Sequence, residues 1–426
     1  GVKITGSDRL LDAPDSAKTK QCLLSCGCSI FPQDGSGIGK DTGAVCVSTA
    51  IEDSNPDIAA ARKYNIPILH RSDVLASLVK NSKSIAVAGT SGKSTVTAMI
   101  FELLTACGMS PSLISGAALR SLEEKGMLGN SFRGEADLLV IEADESDGTL
   151  VKYEPYAGLV LNISKDHKPE DEVLAMFERL IAQSKWSAVC ADDPKLNGLR
   201  AAASTDFGFC DSARFKGAKT NIKPLSSTIT VNGIDYTLPS PGEHNASNLL
   251  AALCVCQHLG CDSERLVKAA ADYKGVDRRF SIRRAASGVT IVDDFAHNPE
   301  KIRAAVTAAK NLSDRLVAVY QPHGFGPTRF LKNEYASTFL EIFRPSDTLC
   351  LLPIYYAGGS AVKDITSQDI IDLMGAAPFN AVAVEDRDGA VDVVKKHAQA
   401  GSCVLLMGAR DPSLSSFAKR VADCFE

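Results

Sequence analysis

The sequence predicts an α/β protein of several domains with mainly parallel sheets. Three observations predict it. Short β-branched runs alternate with helix-period segments almost from end to end. An apolar run ending at Ala88 passes through two glycines into a segment that opens on Lys93. The chain has 426 residues, too many for one ordinary core, so about two to four domains are expected.

Three blocks carry the alternation. The first, residues 1–80, has strand candidates at 3–5, 44–48 and 67–69 and a helix around 56–63. The second, residues 81–281, opens on Ser84-Ile85-Ala86-Val87-Ala88. The third, residues 282–426, opens on Val289-Thr290-Ile291-Val292 and continues through strands at 316–320, 348–352 and 403–407, with helical segments between them. No repeat or low-complexity tract interrupts this order.

Composition narrows the function classes. A formal net charge of −5 argues against a broad electrostatic footprint for nucleic acid or an anionic membrane. No run of about 18 apolar residues exists, so no membrane insertion is expected. The first residues, Gly-Val-Lys-Ile-Thr-Gly-Ser-Asp, form no signal segment and lack an initiator Met, so the expectation is a trimmed or incomplete start. The 13 cysteines are odd in number and scattered, and Cys190, Cys254, Cys350 and Cys403 lie in apolar runs. Cys22, Cys26 and Cys28 have no second pair at zinc-ligand spacing, so the thiols read as structural, in a reducing cytoplasm.

Between the apolar strand at 85–89 and the helix-period run at 96–104 stands Gly89-Thr90-Ser91-Gly92-Lys93-Ser94-Thr95. This is the context of a phosphate loop. Glycines let backbone N–H groups approach phosphate oxygens, and the helix N-terminus adds favourable partial charge. Lys93 is placed to reach the β/γ-phosphates of ATP and the Ser94 hydroxyl to bind Mg²⁺. A plain strand–helix turn is the bland alternative. Gly35-Ser36-Gly37-Ile38-Gly39-Lys40 follows no convincing strand and opens no apolar helix, so it reads as a loop.

A second constellation ends the apolar strand 138–141: Glu142-Ala143-Asp144-Glu145-Ser146-Asp147. Clustered carboxylates there suit a metal facing phosphates, because Mg²⁺ takes one or two carboxylates plus substrate oxygens. A third follows the strand 158–161, with Asn162 and then Asp166-His167.

Together these motifs resemble the Mur ligases, and among them the branch that adds L-alanine to UDP-N-acetylmuramate. Pro241-Gly242-Glu243-His244-Asn245-Ala246-Ser247-Asn248 is similar to the family's adenine-contacting segment, and Gly275-Val276-Asp277-Arg278-Arg279-Phe280 to its closing arginine motif. Val292-Asp293-Asp294-Phe295-Ala296-His297-Asn298-Pro299 resembles the nucleotide motif that begins the third domain; Gln321-Pro322-His323 and Gly408-Ala409-Arg410-Asp411 resemble later landmarks.

The resemblance implies a three-domain fold: a Rossmann-like domain for the UDP-sugar, a central phosphate-loop ATPase domain, and a Rossmann-like C-terminal domain that presents the amino acid. It implies an amide-forming ligase that activates a carboxylate as an acyl phosphate with ATP and Mg²⁺. Lys93, Glu142 and His167 would carry the chemistry, with Ser94, Glu142 and His167 as metal ligands. ATP would also meet Gly89, Thr90, Ser91, Gly92, Thr95, Asn245, Asn248, Arg279, Asp293 and His297. UDP-N-acetylmuramate and a small amino acid would meet Ser7, Asp8, Ser48, His70, Arg71, Asp144, Ser146, Asp147, His323, Arg329 and Asp411. Each also has a bland reading: His167 as a loop histidine, Asn245 as a helix N-cap, Arg278 and Arg279 as surface charges, the Asp293–Asp294 pair as a turn, His323 as packing.

The sequence also departs from that branch. Ser91 and Asn298 stand where the L-alanine enzymes usually carry His, and after Gln321-Pro322-His323 only Arg329 is a candidate for binding a carboxylate. The place of the carbamylated lysine of other branches falls near Glu178. By the family's pattern residues 1–8 would hold the second strand of the UDP-binding domain, so the expectation is a missing first strand, turn and helix. Three alternatives stay open: a tripeptide-adding recycling ligase, a ligase with another acceptor, and a non-catalytic ATP-binding regulator.

Overall fold

Residues 84–88 are buried without interruption, and this is why they read as an unbroken apolar run: both faces of a parallel strand are covered. The computed structural model describes all of the chain except residues 1, 13–15, 50, 147, 165–167 and 357–361. Chain contacts divide it into two compact units, Gly1–Ile222 with Ser226–Gly275, and Val276–Glu426 with Lys223–Leu225.

The first unit is built on a ten-stranded sheet. In spatial order its strands are Ile234–Leu238, Ser226–Val231, Phe215–Lys223, Thr205–Gly208, Trp186–Cys190, Ala157–Val160, Lys83–Ala88, Leu138–Glu142, Ser112–Ile114 and Ser131–Phe132. The strands from Thr205–Gly208 to Ser112–Ile114 pair in parallel. The register decides where the chemistry falls. Val87 pairs with Glu142 and Ala88 with Val160, so the phosphate loop, the acidic cluster and Asn162 all leave the same end of three adjacent strands. Ligands of open α/β sheets sit at that carboxyl end.

Two helices lie against this centre. Lys93–Ala106 and Glu243–His258 bury residues on nearly every side, as helices enclosed within a domain do. Farther out, Ser226–Val231 and Ile234–Leu238 form a hairpin whose turn residues, Asn232 and Gly233, both take positive φ (52° and 79°). Asn-Gly is the pair that tolerates this at two successive positions.

The amino-terminal residues form two small parallel pairs, Thr5–Gly6 with Ser29–Ile30 and Val45–Val47 with Ile68–His70. Helix Pro56–Lys63 starts where the Asn55 side chain accepts from the Asp57 N–H and Pro56 needs no donor. The Gly35–Lys40 glycines lie in a loop, as the sequence predicts. Strand Ser29–Ile30 was not expected. Two residues between Cys28 and Phe31 give no period to read.

The second unit holds a six-stranded sheet in the order Ser281–Arg284, Thr290–Asp294, Cys403–Gly408, Leu316–Gln321, Thr348–Leu351, Asn380–Ala383. All pairs are parallel except the first, where Ser281–Arg284 runs antiparallel along the edge. Core clusters cover both faces, one around Tyr320, Phe339 and Leu405, the other around Val319, Leu406 and Phe417. The four inner strands are those predicted. The two edge strands were missed, because Ser281-Ile282-Arg283-Arg284 and Asn380-Ala381-Val382-Ala383 are too polar or too small to stand out. Among the described residues no helix is long and apolar enough to cross a membrane.

Candidate active site

The phosphate loop is held open by contacts that only glycine permits. Gly89 lies at φ +141°, and a Cβ there would stand 2.9 Å from the Leu161 Cβ. Gly92 lies at φ +86°, and a Cβ there would stand 2.7 Å from Asn248 Oδ1. Side chains at either place would push the loop off the neighbouring strand end and helix.

Asn162 ties the loop to the next strand. Its Oδ1 accepts from the Ser91 N–H at 2.8 Å and the Thr90 hydroxyl at 3.0 Å, and its Nδ2 donates to the Ser91 carbonyl at 2.9 Å. The Ser164 N–H donates to Thr90 Oγ1 at 2.9 Å. The sequence singled out Asn162 by position but gave it no role. The asparagine after a buried strand, facing a glycine loop, was the available signal.

Lys93 opens the following helix and points back into the acidic cluster. Its Nζ lies 2.7 Å from Glu145 Oε2 and 3.4 Å from Asp144 Oδ1, and its side chain is only 12% exposed. Burial disfavours the ammonium, but the Glu145 and Asp144 carboxylates outweigh it and raise the Lys93 pKa. Burial likewise raises the Glu145 carboxyl, against the pull of Lys93. Lys93 therefore keeps its proton in a site largely shielded from water, where a fixed positive charge acts most strongly on an anion. Glu145 was not among the expected site residues. Its sequence neighbours hid it, since four carboxylates within six residues, Glu142, Asp144, Glu145 and Asp147, give no clue which one grips Lys93.

Glu142 faces the other side of the loop. Its Oε1 accepts from the Ser94 hydroxyl at 3.1 Å and its Oε2 from the Gly116 N–H at 2.9 Å. A hydroxyl and a carboxylate side by side are hard oxygen donors, the kind Mg²⁺ prefers, with substrate phosphates and water completing its shell. The expected His167 and Asp147 lie outside the described residues, and among the described residues no group of three His, Cys, Asp or Glu side chains gathers at metal spacing. Asp144 accepts from the Ser146 hydroxyl at 2.8 Å, so these two expected substrate contacts form a turn beside Lys93. Asn245 and Asn248 are buried at the start of the Glu243–His258 helix, where Asn245 Nδ2 donates to the Pro241 carbonyl at 2.8 Å. Thr95 offers its carbonyl to the Tyr273 hydroxyl at 3.5 Å.

The second unit gathers its own polar cluster. Arg278 adopts φ +55° and is buried, its Nη2 donating to the Gly408 carbonyl at 2.6 Å and its Nε lying 3.3 Å from Asp293 Oδ1. Both Arg278 and Arg279 lie over the Phe295 ring, with guanidinium carbons 5.2 and 4.9 Å from its centroid. His297 Nδ1 lies 2.8 Å from the Phe295 carbonyl, which can only accept, so that nitrogen carries the proton. The His297 and His323 rings meet edge to face at 5.4 Å. Asp294 is spent on the backbone, accepting from the Phe280 and Ala296 N–H groups, each at 2.8 Å.

Asp293 gives a pH prediction. Burial pushes its carboxyl up to about 7, with Arg278 pulling the other way. The folded state then holds a proton that the unfolded state loses near pH 4, so this group's contribution is full below that and is lost as pH rises towards 7. Asp293→Asn is expected to flatten the pH dependence of thermal unfolding between pH 5 and 7.5. An unchanged slope in the variant would show that Asp293 stays ionised beside Arg278.

Against this geometry, sequence comparison is decisive. A UDP-N-acetylmuramate–L-alanine ligase of Streptomyces griseus is 34% identical over 432 residues, covering 96% of this chain and 90% of the relative. The chain belongs to the Mur ligase family. Family models match in three segments: Mur ligase family, catalytic domain, at residues 1–83; Mur ligase middle domain at 87–256; and Mur ligase, glutamate ligase domain, at 278–410. The enzyme of the same name from Pelotomaculum thermopropionicum is 32% identical, covering 96% of this chain and 90% of its own. Among solved structures, the Thermotoga maritima UDP-N-acetylmuramate–alanine ligase superposes with a TM-score of 0.79 at 22% identity, covering 100% of this chain and 99% of that one. A murein peptide ligase from Psychrobacter arcticus follows at TM-score 0.68 and 19% identity, covering 99% and 93%. The three-domain Mur ligase fold expected from the sequence is the fold observed, and the family is one of ATP-dependent ligases.

The remaining expected Mur ligase contacts are scattered or already engaged. Ser7 Oγ donates to Asp57, Asp8 Oδ1 accepts from the Leu10 N–H at 2.7 Å, and the Ser48 carbonyl accepts from the Ile51 N–H at 3.1 Å. His70 caps the helix Arg71–Lys80, its Nδ1 accepting from the Ser72 N–H at 3.2 Å. In the second unit Arg329 Nε donates to Asp364 Oδ1 at 3.0 Å and Nη2 to the Val362 carbonyl at 3.0 Å. Asp411 is buried and paired with Arg387 Nη2 at 2.8 Å.

Proposed function

We propose that this Mur ligase joins L-alanine to the carboxylate of UDP-N-acetylmuramate, using ATP to form an acyl phosphate, as a step in building peptidoglycan precursors. The observation that carries the reading is the convergence of Lys93 Nζ, Ser94 Oγ and the Glu142 carboxylate on one glycine loop at the carboxyl end of the sheet. A carboxylate is a poor electrophile, and phosphorylation gives it a leaving group. The protein's task is then to position the γ-phosphoryl and offset its charge. Backbone N–H groups of residues 89–95 would cradle the phosphates, with Asn162 fixing the loop's shape. Lys93 brings a positive charge whose direction Glu145 and Asp144 set. Ser94 and Glu142, joined by His167 on the family pattern, would hold Mg²⁺, which when bound screens the transferring phosphoryl oxygens.

In this reading residues 1–80 receive the UDP-sugar, 81–281 the ATP and 282–426 the amino acid, and the activity is cytoplasmic. Ser7, Asp8, Ser48, His70 and Arg71 remain the proposed UDP-sugar contacts; Arg279, Asp293 and His297 remain proposed for ATP, with His323 and Asp411 for the amino acid. A second reading keeps the chemistry and changes the amine. It is favoured by Arg329, the arginine expected to meet the amino acid's carboxylate, being engaged with Asp364 and Val362.

Incubating the protein with ATP, Mg²⁺, UDP-N-acetylmuramate and a panel of amino acids and peptides separates these readings. Phosphate release that requires both the sugar nucleotide and L-alanine, with a product of the matching mass, is the expected result. Release with another amine moves the assignment to the second reading. No release with any pair, despite measurable ATP binding, removes the enzyme reading.

A further inference from the structure

A carboxylate that the ligase chemistry does not use joins three stretches of the first unit. Glu102 lies in the later turns of the phosphate-loop helix, Lys93–Ala106, and is partly buried. Its Oε1 accepts from the Ser121 hydroxyl at 2.6 Å and its Oε2 from the Lys274 N–H at 3.1 Å. The two segments it grips also meet each other, the Arg120 N–H donating to the Gly275 carbonyl at 3.1 Å. Burial raises the Glu102 carboxyl pKa, against the pull of the Ser121 and Lys274 hydrogen bonds. A carboxylate turned away from water in this way is costly unless such partners satisfy it.

Ser121 ends a stretch that begins at Glu142. Residues 115–121 follow strand Ser112–Ile114, and at their start Glu142 Oε2 accepts from the Gly116 N–H at 2.9 Å and the Ser115 hydroxyl at 3.4 Å. The approach is so close that a Cβ on Gly116 would stand 3.2 Å from that oxygen. On one side the stretch is held by residues 129–130, the Ser115 N–H donating to the Asn130 carbonyl and the Leu119 N–H to the Gly129 carbonyl, each at 2.9 Å. At its far end Glu102 fastens it to the phosphate-loop helix. The contacts close into a ring: Ser94 in the first turn of that helix meets Glu142, Glu142 meets Gly116, and Ser121 returns to Glu102 on the same helix.

We infer that Glu102 is a positioning residue for Glu142: by stapling residues 115–121 to the phosphate-loop helix, it fixes where the Gly116 N–H holds the Glu142 carboxylate beside Ser94. The inference rests on the reading of Glu142 as a Mg²⁺ ligand. Its Oε2 is engaged by Gly116 and Ser115, and this turns Oε1 towards Ser94. Mg²⁺ tolerates little departure from octahedral geometry, so a carboxylate free to rotate with a loosened loop binds it less well. The Lys274 N–H holds the second Glu102 oxygen, so the staple does not swing away with Ser121.

The test compares Glu102→Leu with Glu102→Gln in the full chain. Leucine fills the space and accepts nothing. Glutamine keeps both arms, its amide oxygen accepting from the Lys274 N–H and its amide N–H donating to Ser121 Oγ. Amide hydrogen exchange, read by mass spectrometry without substrates, should quicken across residues 115–121 in Glu102→Leu and stay at the wild-type rate in Glu102→Gln. The Mg²⁺ concentration for half-maximal phosphate release should rise about tenfold in Glu102→Leu and stay within about twofold in Glu102→Gln. The KM for UDP-N-acetylmuramate should not move. Ser121→Ala, which releases the arm from the other side, should shift the Mg²⁺ requirement in the same direction and serves if Glu102→Leu does not fold. Adding Glu102→Leu to Glu142→Gln should leave the Mg²⁺ requirement of Glu142→Gln unchanged, because one residue acts through the other. Unchanged exchange in Glu102→Leu would overturn the inference, as would fully additive shifts in the double variant. Faster exchange with a wild-type Mg²⁺ requirement would overturn it too, and Glu142→Gln then tells the two failures apart. If that variant shifts the requirement, Glu102 has no positioning role; if it does not, the metal reading of Glu142 has failed.

Discussion

Lys93→Ala is expected to lower kcat/KM for ATP-dependent ligation by about 10³-fold, on the order of 4 kcal/mol of transition-state stabilisation. The size follows from where Lys93 sits. Its ammonium is mostly shielded from water and fixed by two carboxylates, so its charge is preorganised for the phosphoryl group. Removing it also leaves Glu145 buried without its cation, and that carboxyl, already raised by burial, is expected to rise further. Fold must therefore be checked alongside rate. Circular dichroism and the melting midpoint of the variant distinguish a folded, inactive enzyme from a collapsed site. Lys93→Arg keeps the partner charge of Glu145 satisfied while displacing it from the phosphate position, and should also be slow. Activity within tenfold of wild type in a folded Lys93→Ala protein would falsify the phosphate-loop assignment.

Glu142→Gln is expected to reduce turnover by about 10²-fold and to raise the Mg²⁺ concentration for half-maximal rate by at least about tenfold. Glutamine matches glutamate in shape and can still accept from the Gly116 N–H, while its amide can donate to Ser94 Oγ. The local hydrogen bonds therefore survive and only the charge is lost. The readout is a Mg²⁺ titration of phosphate release at fixed ATP. An unchanged Mg²⁺ requirement would mean that Glu142 serves only to brace the loop segment at Gly116, and the metal would have to be held elsewhere.

Much of this site was legible in the residues. Gly89 and Gly92 announced a loop that approaches its neighbours closely, and the structure gives each a left-handed backbone angle and a contact that a Cβ would violate. Glu142 was marked by its place at the end of an apolar strand, and pairing of Val87 with Glu142 puts it beside Ser94. The runs at 84–88, 138–141 and 158–161 and the four inner strands of the six-stranded sheet were equally plain, because strands covered on two faces must be apolar throughout. Strand Ser29–Ile30 and the two edge strands of the six-stranded sheet were not, since a half-exposed strand of two to four residues has no such constraint.

What the sequence determined by itself is therefore the class of chemistry: a phosphate loop, an acidic strand end and an ordered set of motifs, each encoded within a few consecutive residues. What only the tertiary structure decided is which of several equivalent side chains does what. Glu145, not merely its acidic neighbours, grips Lys93; Asn162 ties down the loop; Arg278 turns inward onto Asp293; and Arg329 is engaged by Asp364. The physical reason is one of range. Glycine, apolar runs and strand-end carboxylates act through local backbone geometry, whereas ion pairs and side-chain hydrogen bonds depend on register between strands and helices that no single segment specifies.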